Sequence, residues 1–387
     1  MRKICVVVTA RASYARIRTV LLAIQAHPDL QLQLVVSGSA VLTRFGDIIS
    51  VMASDGLVPD ERVFMVVEGE NLTTSAKSTG LALIELATVF DNLKPDIVVS
   101  IADRYETLAT SVCASYMNIP LAHVQGGEVT GSIDEKVRHA STKLADLHFA
   151  STARSRDWII RMGENPESVF HTGCPSIDIA AEIARSPALD FDPMEKYGGV
   201  GHLDKMPERY IVVMQHPVTT QFGAGRQQMV ETLEAVAAVD IPVLWFWPNI
   251  DAGSDDVSNA IRSFRENNEL PNFRFFKNMK PMDFMRLLVN SQGIVGNSSV
   301  GIRECSYLGV PTVNIGVRQL NRERGGNVID VEHDREAIRE AIETMLASPR
   351  PEGSPIYGDG DAGERIANLL ASTNPGFEKR LHYVYDA

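Results

Sequence analysis

Short apolar runs rich in β-formers recur from one end of this chain to the other and alternate with stretches of helical spacing. The first series lies at 4–8, 32–36, 63–67, 96–101, 121–124 and 146–150; a second lies at 210–214, 243–247, 273–276, 293–295 and 311–315. Strands that read as continuous apolar runs are buried on both faces, which is the pattern of βαβ units and a parallel sheet covered by helices. With 387 residues the chain exceeds what one hydrophobic core spans, so two such units are expected. Residues 186–209, rich in Pro, Gly and charge, read as the linker. The expected division is 1–181, 182–364 and a C-terminal segment 365–387, with helical apolar spacing at 364–370.

In sheets of this kind ligands sit beyond the carboxyl ends of the strands, and with two domains face to face the cleft between them is the expected site. The clearest strand-to-helix junction is 293–304, where the run Gly293-Ile294-Val295 stops on Gly296-Asn297-Ser298-Ser299. Backbone N–H groups of a first helical turn, with the Ser298 and Ser299 hydroxyls, can hold a phosphate dianion. Glu304, about one and a half turns into the same expected helix, suits a ribose diol. Ser298 also reads as a plain N-cap and Glu304 as a solvated helical charge. The next run ends in Asn314-Ile315-Gly316, without the acidic residue a nicotinamide dinucleotide fold carries ~20 residues on. A nucleotide diphosphate therefore fits better than NAD.

A formal net charge of −12 argues against nonspecific binding to nucleic acid or to an anionic membrane. A phosphate site must then be locally basic. The four cysteines, Cys5, Cys113, Cys174 and Cys305, show no Cys-x-x-Cys pair and no His at ligand spacing, so neither zinc nor a disulfide framework is indicated. No cofactor and no metal are expected. No apolar run approaches a membrane span and no signal segment is evident, so a reducing cytoplasm is the expected location.

Six further segments carry candidate chemistry. The turn Thr9-Ala10-Arg11-Ala12-Ser13-Tyr14 lacks the glycines of a dinucleotide cradle and offers the Arg11 guanidinium for a phosphate, or simply for solvent. Asp103 stands just beyond the run 96–101 and precedes Arg104, either as a cleft acid or as a helix N-cap. Gly126-Gly127 permits a sharp turn that would place Glu128 in the cleft. Ser132 and Glu135 match a capping box, leaving Asp134 with Arg138 one turn on. His216, fixed by Pro217, stands at a strand end, where it can meet a phosphate, protonate a leaving group or sit hydrogen bonded and half-buried. Asn249 follows the run 245–247 in a similar position, and the aromatics of that run read as core.

Together these stretches resemble the UDP-N-acetylglucosamine 2-epimerases, and among them the hydrolysing branch of sialic-acid-type sugar synthesis. The resemblance rests on Thr9-Ala-Arg-Ala-Ser-Tyr14, Asp103-Arg104-x-Glu106, Gly126-Gly-Glu-Val-Thr-Gly131 and Ile133-Asp-Glu-x-x-Arg-His139 in the first half. In the second half it rests on His216-Pro-Val-Thr219, Gly296-Asn-Ser-Ser-x-Gly-Ile-Arg-Glu304, Asn314-Ile-Gly-x-Arg-Gln319 and Arg322-Glu-Arg-Gly325. It implies a GT-B architecture of two Rossmann-like, doubly wound domains with a C-terminal helix crossing back to the first. It also implies a homodimer or homotetramer and a metal-independent reaction on a UDP-sugar: anti elimination of UDP to a 2-acetamidoglucal, then hydration to N-acetylmannosamine. By position, Asp103, Glu128 and Asp134 take acid and base roles, His216 assists the leaving group, and Arg11, Ser298, Ser299 and Arg318 hold the phosphates. Glu304 takes the ribose, and Arg104 and Asn249 complete the nucleotide set.

Two departures concern the sugar side: Ala12-Ser13 stands where relatives often carry an acid before the tyrosine, and Ser100-Ile101-Ala102 replaces a glycine-containing approach to Asp103. A UDP- or GDP-linked 2,4-diacetamido-trideoxyhexose is therefore the alternative substrate. A nonhydrolysing epimerase and a GT-B glycosyltransferase are the rival enzymes, and a sugar-nucleotide sensor the rival binder. A transferase needs one base for its acceptor and a sensor needs none, whereas this chain brings three carboxylates.

Overall fold

The computed structural model describes residues 1–43, 47–69, 71–248 and 251–382. The chain divides into two compact units: unit 1 is Met1–Glu128, Ile133–Ile179 and Tyr357–Ala387, and unit 2 is Val129–Ser132 and Ala180–Ile356.

Unit 1 runs β1 (Arg2–Val8), α1 (Arg11–Ala26), β2 (Leu30–Ser37), α2 (Ile48–Ser54), β3 (Glu61–Val63), α3 (Leu72–Leu93), β4 (Ile97–Ile101), α4 (Tyr105–Tyr116), β5 (Leu121–Val124), α5 (Asp134–Leu144), β6 (Leu147–Ala150), α6 (Ala153–Arg161) and β7 (Val169–His171), and then enters α7 (Pro175–Arg185). Its seven strands are ordered β3-β2-β1-β4-β5-β6-β7, all parallel. The run 4–8 is apolar throughout because both faces of β1 are buried. Ile4, Val6 and Val8 enter one core with α1, while Cys5 and Val7 enter the other with α3 and α4. The chain order reverses between β1 and β4, the switch point at which such sheets open a crevice beyond their carboxyl ends. Arg11 follows β1 and Asp103 follows β4.

Unit 2 runs α8 (Pro193–Tyr197), β8 (Val200–Gly201), β9 (Ile211–Met214), α9 (Gly225–Ala237), β10 (Val243–Phe246), α10 (Ser254–Asn267), β11 (Phe273–Phe276), α11 (Pro281–Val289), β12 (Gly293–Gly296), α12 (Ser299–Ile302), α13 (Glu304–Leu308), β13 (Thr312–Ile315), β14 (Val328–Val331) and α14 (Arg335–Ala347). Its order is β14-β13-β12-β9-β10-β11-β8, parallel except for β8. The switch point lies between β9 and β12, and His216 and Ser298 each stand two residues beyond their ends. The chain returns to unit 1 as α15 (Ala362–Ser372), whose Ile366, Ala367 and Leu370 join the core of β1 and α1. Gly363 makes this packing possible, since a Cβ there would stand 2.7 Å from the Thr19 backbone carbon.

Three sequence expectations change. The run 63–67 is not one strand: β3 stops at Val63, and the Val67 N–H takes the Ser78 hydroxyl at 2.9 Å instead of a ladder partner. The stretch 186–209 is not merely a linker, because it folds into α8 and into β8, which pairs antiparallel with β11. The junction helix after β12 is not continuous. It breaks at Arg303 into α12 and α13, because the Gly301 carbonyl accepts the Thr312 hydroxyl at 3.1 Å and the Asn327 amide at 3.0 Å. Strands β7, β8 and β14 had no expected counterpart.

Candidate functional site

In unit 1 the acids are placed by two unusual turns. Ala102, between β4 and Asp103, has φ +62°, and Gln125, just after β5, has φ +68°. Non-glycine residues occupy the left-handed region only when the surroundings impose it. Asp103 is buried beyond the strand end and is not the N-cap of α4, whose cap position is held by Arg104 without a side-chain bond. Its carboxylate pairs with Arg138, and the Arg16 guanidinium stands 3.9 Å away. Arg104 engages Glu106, Nε to Oε2 at 3.2 Å. Glu106 is itself buried under the Gly38 turn, where a Cβ would stand 3.1 Å from its carboxylate.

Glu128 is buried at the end of the turn opened by Gly126 and Gly127. A Cβ at Gly127, φ +70°, would lie 2.2 Å from the Ser155 carbonyl, so no other residue fits. Arg138 Nη1 donates to the Glu128 carbonyl at 2.8 Å. One buried guanidinium therefore ties the Asp103 carboxylate to the Glu128 backbone, and bidentate arginine suits that task. Asp134 opens α5 one turn before Arg138 and is partly exposed. The cap position of α5 falls not at Ser132 but at Ile133, whose backbone is helical and whose side chain makes no cap bond. The Ser132 hydroxyl lies 3.4 Å from that of Thr130, and Glu135 pairs with His139 at 3.3 Å. Arg11 is the first residue of α1; burial pulls its guanidinium down to about 10, which leaves it cationic at neutral pH.

In unit 2 the two switch-point loops are clasped by Asn297. Its Oδ1 accepts the His216 N–H at 2.7 Å and its Nδ2 donates to the His216 carbonyl at 2.9 Å. The Asn297 carbonyl in turn accepts Gln319 Nε2 at 2.9 Å and Arg318 Nη1 at 3.3 Å. Arg318 also faces Asp251 at 3.5 Å. Ser298 is the N-cap of α12 and accepts the Val300 N–H at 3.5 Å. Because α12 has only four residues, its dipole is small, and N–H donors with hydroxyls are what the turn offers an anion. Glu304 is not a solvated charge: it is 7% exposed, and its Oε2 has no hydrogen-bond partner among the described residues. A buried acceptor of this kind calls for a donor from elsewhere, such as a hydroxyl. Trp245 and Phe246 are core residues. Asn249 lies outside the described residues.

The structure thus gathers Asp103, Glu128 and Arg138 in unit 1, with Asp134 and Arg11 on the flanking helix starts. In unit 2 it gathers His216, Ser298 and Arg318 around Asn297. Sequence reasoning missed Arg16, Glu106, Asn297 and Gln319 as contributors. Arg16 carries no local signal, whereas Glu106, Asn297 and Gln319 stood within the motifs given above without a role of their own. Among the described residues no three His, Cys, Asp or Glu side chains group as metal ligands, and the four cysteines are buried free thiols. No helix is long and apolar enough to cross a membrane, again among the described residues.

The profile of the family described as UDP-N-acetylglucosamine 2-epimerase matches residues 22–371. The UDP-N,N'-diacetylbacillosamine 2-epimerase (hydrolyzing) of Legionella pneumophila is 32% identical over 376 residues, 96% of each chain. Polysialic acid biosynthesis protein P7 of Escherichia coli is 33% identical over 391 residues, 98% of this chain and 97% of its own. Among solved structures, the UDP-GlcNAc 2-epimerase of Neisseria meningitidis bound to UDP-GlcNAc shares the fold with a TM-score of 0.80 at 18% identity. It covers 96% of this chain and 100% of its own. That architecture is GT-B-like, two α/β domains built on parallel sheets, and a profile match across most of the chain shows that this protein belongs to the UDP-N-acetylglucosamine 2-epimerase family.

Proposed function

We propose that this enzyme is a hydrolysing 2-epimerase that converts UDP-N-acetylglucosamine to UDP and N-acetylmannosamine. The observation that carries the reading is the buried set in unit 1, in which Arg138 binds the Asp103 carboxylate and the Glu128 backbone together. The C2 proton of an N-acetylhexosamine is not acidic. Cleavage of C1–O must run ahead, placing positive charge at C1, before a carboxylate can take that proton. The electron pair of C1–O leaves with UDP, the C2–H pair becomes the C1–C2 double bond, and a 2-acetamidoglucal results. Water then adds its oxygen to C1 while a proton returns to C2 from the other face. Asp103, Glu128 and Asp134 supply the acid and base groups. Arg11, Arg318, Ser298 and Ser299, with Arg104, stabilise the departing diphosphate, His216 assists it, and the partnerless Oε2 of Glu304 accepts a ribose hydroxyl. Asn249 belongs to the nucleotide set by sequence only. Two relatives whose names include "hydrolyzing", at 32% and 28% identity, support the hydrolytic outcome.

The same two relatives favour a second reading of the sugar, since both names specify N,N'-diacetylbacillosamine. A 2,4-diacetamido-trideoxyhexose carries an acetamido group at C2 and undergoes the same elimination.

The test is an NMR time course in D2O with each UDP-sugar in turn. The expected outcome is UDP plus a free 2-epimer carrying deuterium at C2, and the faster donor identifies the substrate. Product that keeps its original C2 hydrogen overturns the mechanism, and a UDP-linked 2-epimer as the end product would mark the nonhydrolysing reaction instead. Turnover only when an acceptor sugar is added would mark a glycosyltransferase.

A further inference from the structure

We propose that His123 is a positioning residue that holds the carboxylate-bearing turns of unit 1 in register; the proposal rests on the epimerase reading above. The imidazole is fully buried, and none of the proposed chemistry uses it. Its Nε2 lies 2.9 Å from the Ala102 carbonyl, which can only accept, so Nε2 carries the hydrogen. Ala102 is the left-handed residue immediately before Asp103, and its own N–H donates to the Val124 carbonyl at 3.0 Å. Adjacent residues of β5 therefore grip both sides of the strained peptide that aims Asp103.

The other edge of the ring serves the Glu128 turn. A Cβ at Gly126 would stand 3.2 Å from His123 Nδ1 and 2.9 Å from the Thr142 hydroxyl, so the imidazole and Thr142 fill the space beneath Gly126-Gly127. With Nε2 committed as donor, Nδ1 accepts the Thr142 hydroxyl at 3.4 Å. Thr142 lies on α5, one turn beyond Arg138. The three segments that carry Asp103, Glu128 and the Asp134–Arg138 turn thus share one neutral ring. A strained turn relaxes when its clamp is removed, and the carboxylate beyond it moves.

The experiment compares His123→Leu, which deletes the donor, with His123→Gln, whose side-chain N–H has similar reach. His123→Leu is expected to lower kcat about 10²-fold, the cost of a misplacement near 1 Å, while KM and UDP affinity change little. His123→Gln is expected to recover kcat to within about tenfold of the parent, and its kcat/KM pH profile keeps both limbs because the ring moves no proton. Equal losses in the two variants, a loss confined to KM, or a missing pH limb overturns the proposal. Should His123→Leu fail to fold, Thr142→Val deletes only the Nδ1 partner; it is expected to lower kcat at unchanged UDP affinity, and parental kcat overturns the proposal. Amide exchange at Ala102 and Asp103, read without substrate, should accelerate in His123→Leu and not in His123→Gln. That readout separates this proposal from the reaction assignment, since a parent enzyme inactive on every UDP-2-acetamido sugar overturns only the latter.

Discussion

Arg138 shows how much one side chain can decide. It is fully buried between the Asp103 carboxylate and the Glu128 carbonyl, and removing one member of a buried charge pair leaves the other without compensation. Arg138→Met is expected to cost about 3–5 kcal/mol of folding stability, read by urea denaturation. Arg138→Lys should recover little of that, because a point charge cannot reproduce the two-pronged geometry. A lysine variant as stable as the parent would show that the pair is only Coulombic. The sequence placed Arg138 four residues after Asp134 and made it that residue's partner. Asp103 lies 35 positions earlier in the chain, and no local spacing links the two.

Among the elements, α15 was legible as a helix from its apolar spacing, and its anchoring was not. Its first turn is held by Asp178 at the start of α7, whose carboxylate accepts the Ala362 and Gly363 N–H groups at 2.9 and 2.8 Å and the Thr19 hydroxyl at 2.7 Å. Helix starts leave N–H groups unpaired, and a carboxylate there satisfies them and complements the dipole. Asp178→Ala is expected to lower stability by about 1–2 kcal/mol and to speed amide exchange in α15 before the rest of unit 1. Unchanged exchange in α15 would show that its packing against α1 suffices. The continuous helix expected through Glu304 failed because it rests on short-range pairing, and tertiary partners, Thr312 and Asn327, took the Gly301 carbonyl.

Across the molecule, buried histidines and one buried acid contribute to how stability changes in acid. Desolvation pulls His123 down to about 4 and also lowers His148. Burial alone would raise Glu164, but hydrogen bonds from His148, Lys143 and Lys379 outweigh it and leave its carboxyl at about 2. As pH falls through ~6.5 the unfolded chain takes up the histidine proton before the folded protein does, so stability declines until pH reaches the folded value. For His123 alone the loss is about 3 kcal/mol, at ~1.4 kcal/mol per pH unit. Glu164 acts in the same direction at lower pH, its contribution being present above the unfolded carboxyl range and lost as pH falls through about 2. The urea midpoint should fall between pH 6.5 and 4, and His123→Gln should flatten that slope; a parallel slope in the variant would remove His123 as its source. Some of this was readable from the chain by itself. Apolar runs without alternation dictate parallel strands buried on both faces, and polar residues at their carboxyl ends mark where a ligand meets the sheet, because those features depend only on neighbours in sequence. Which arginine meets Asp103, why α12 stops, how Asn297 clasps His216 and what His123 supports were decided by tertiary structure. Each depends on groups 11 to 81 residues apart whose burial leaves them no water to pair with, so that only the folded chain selects their partners.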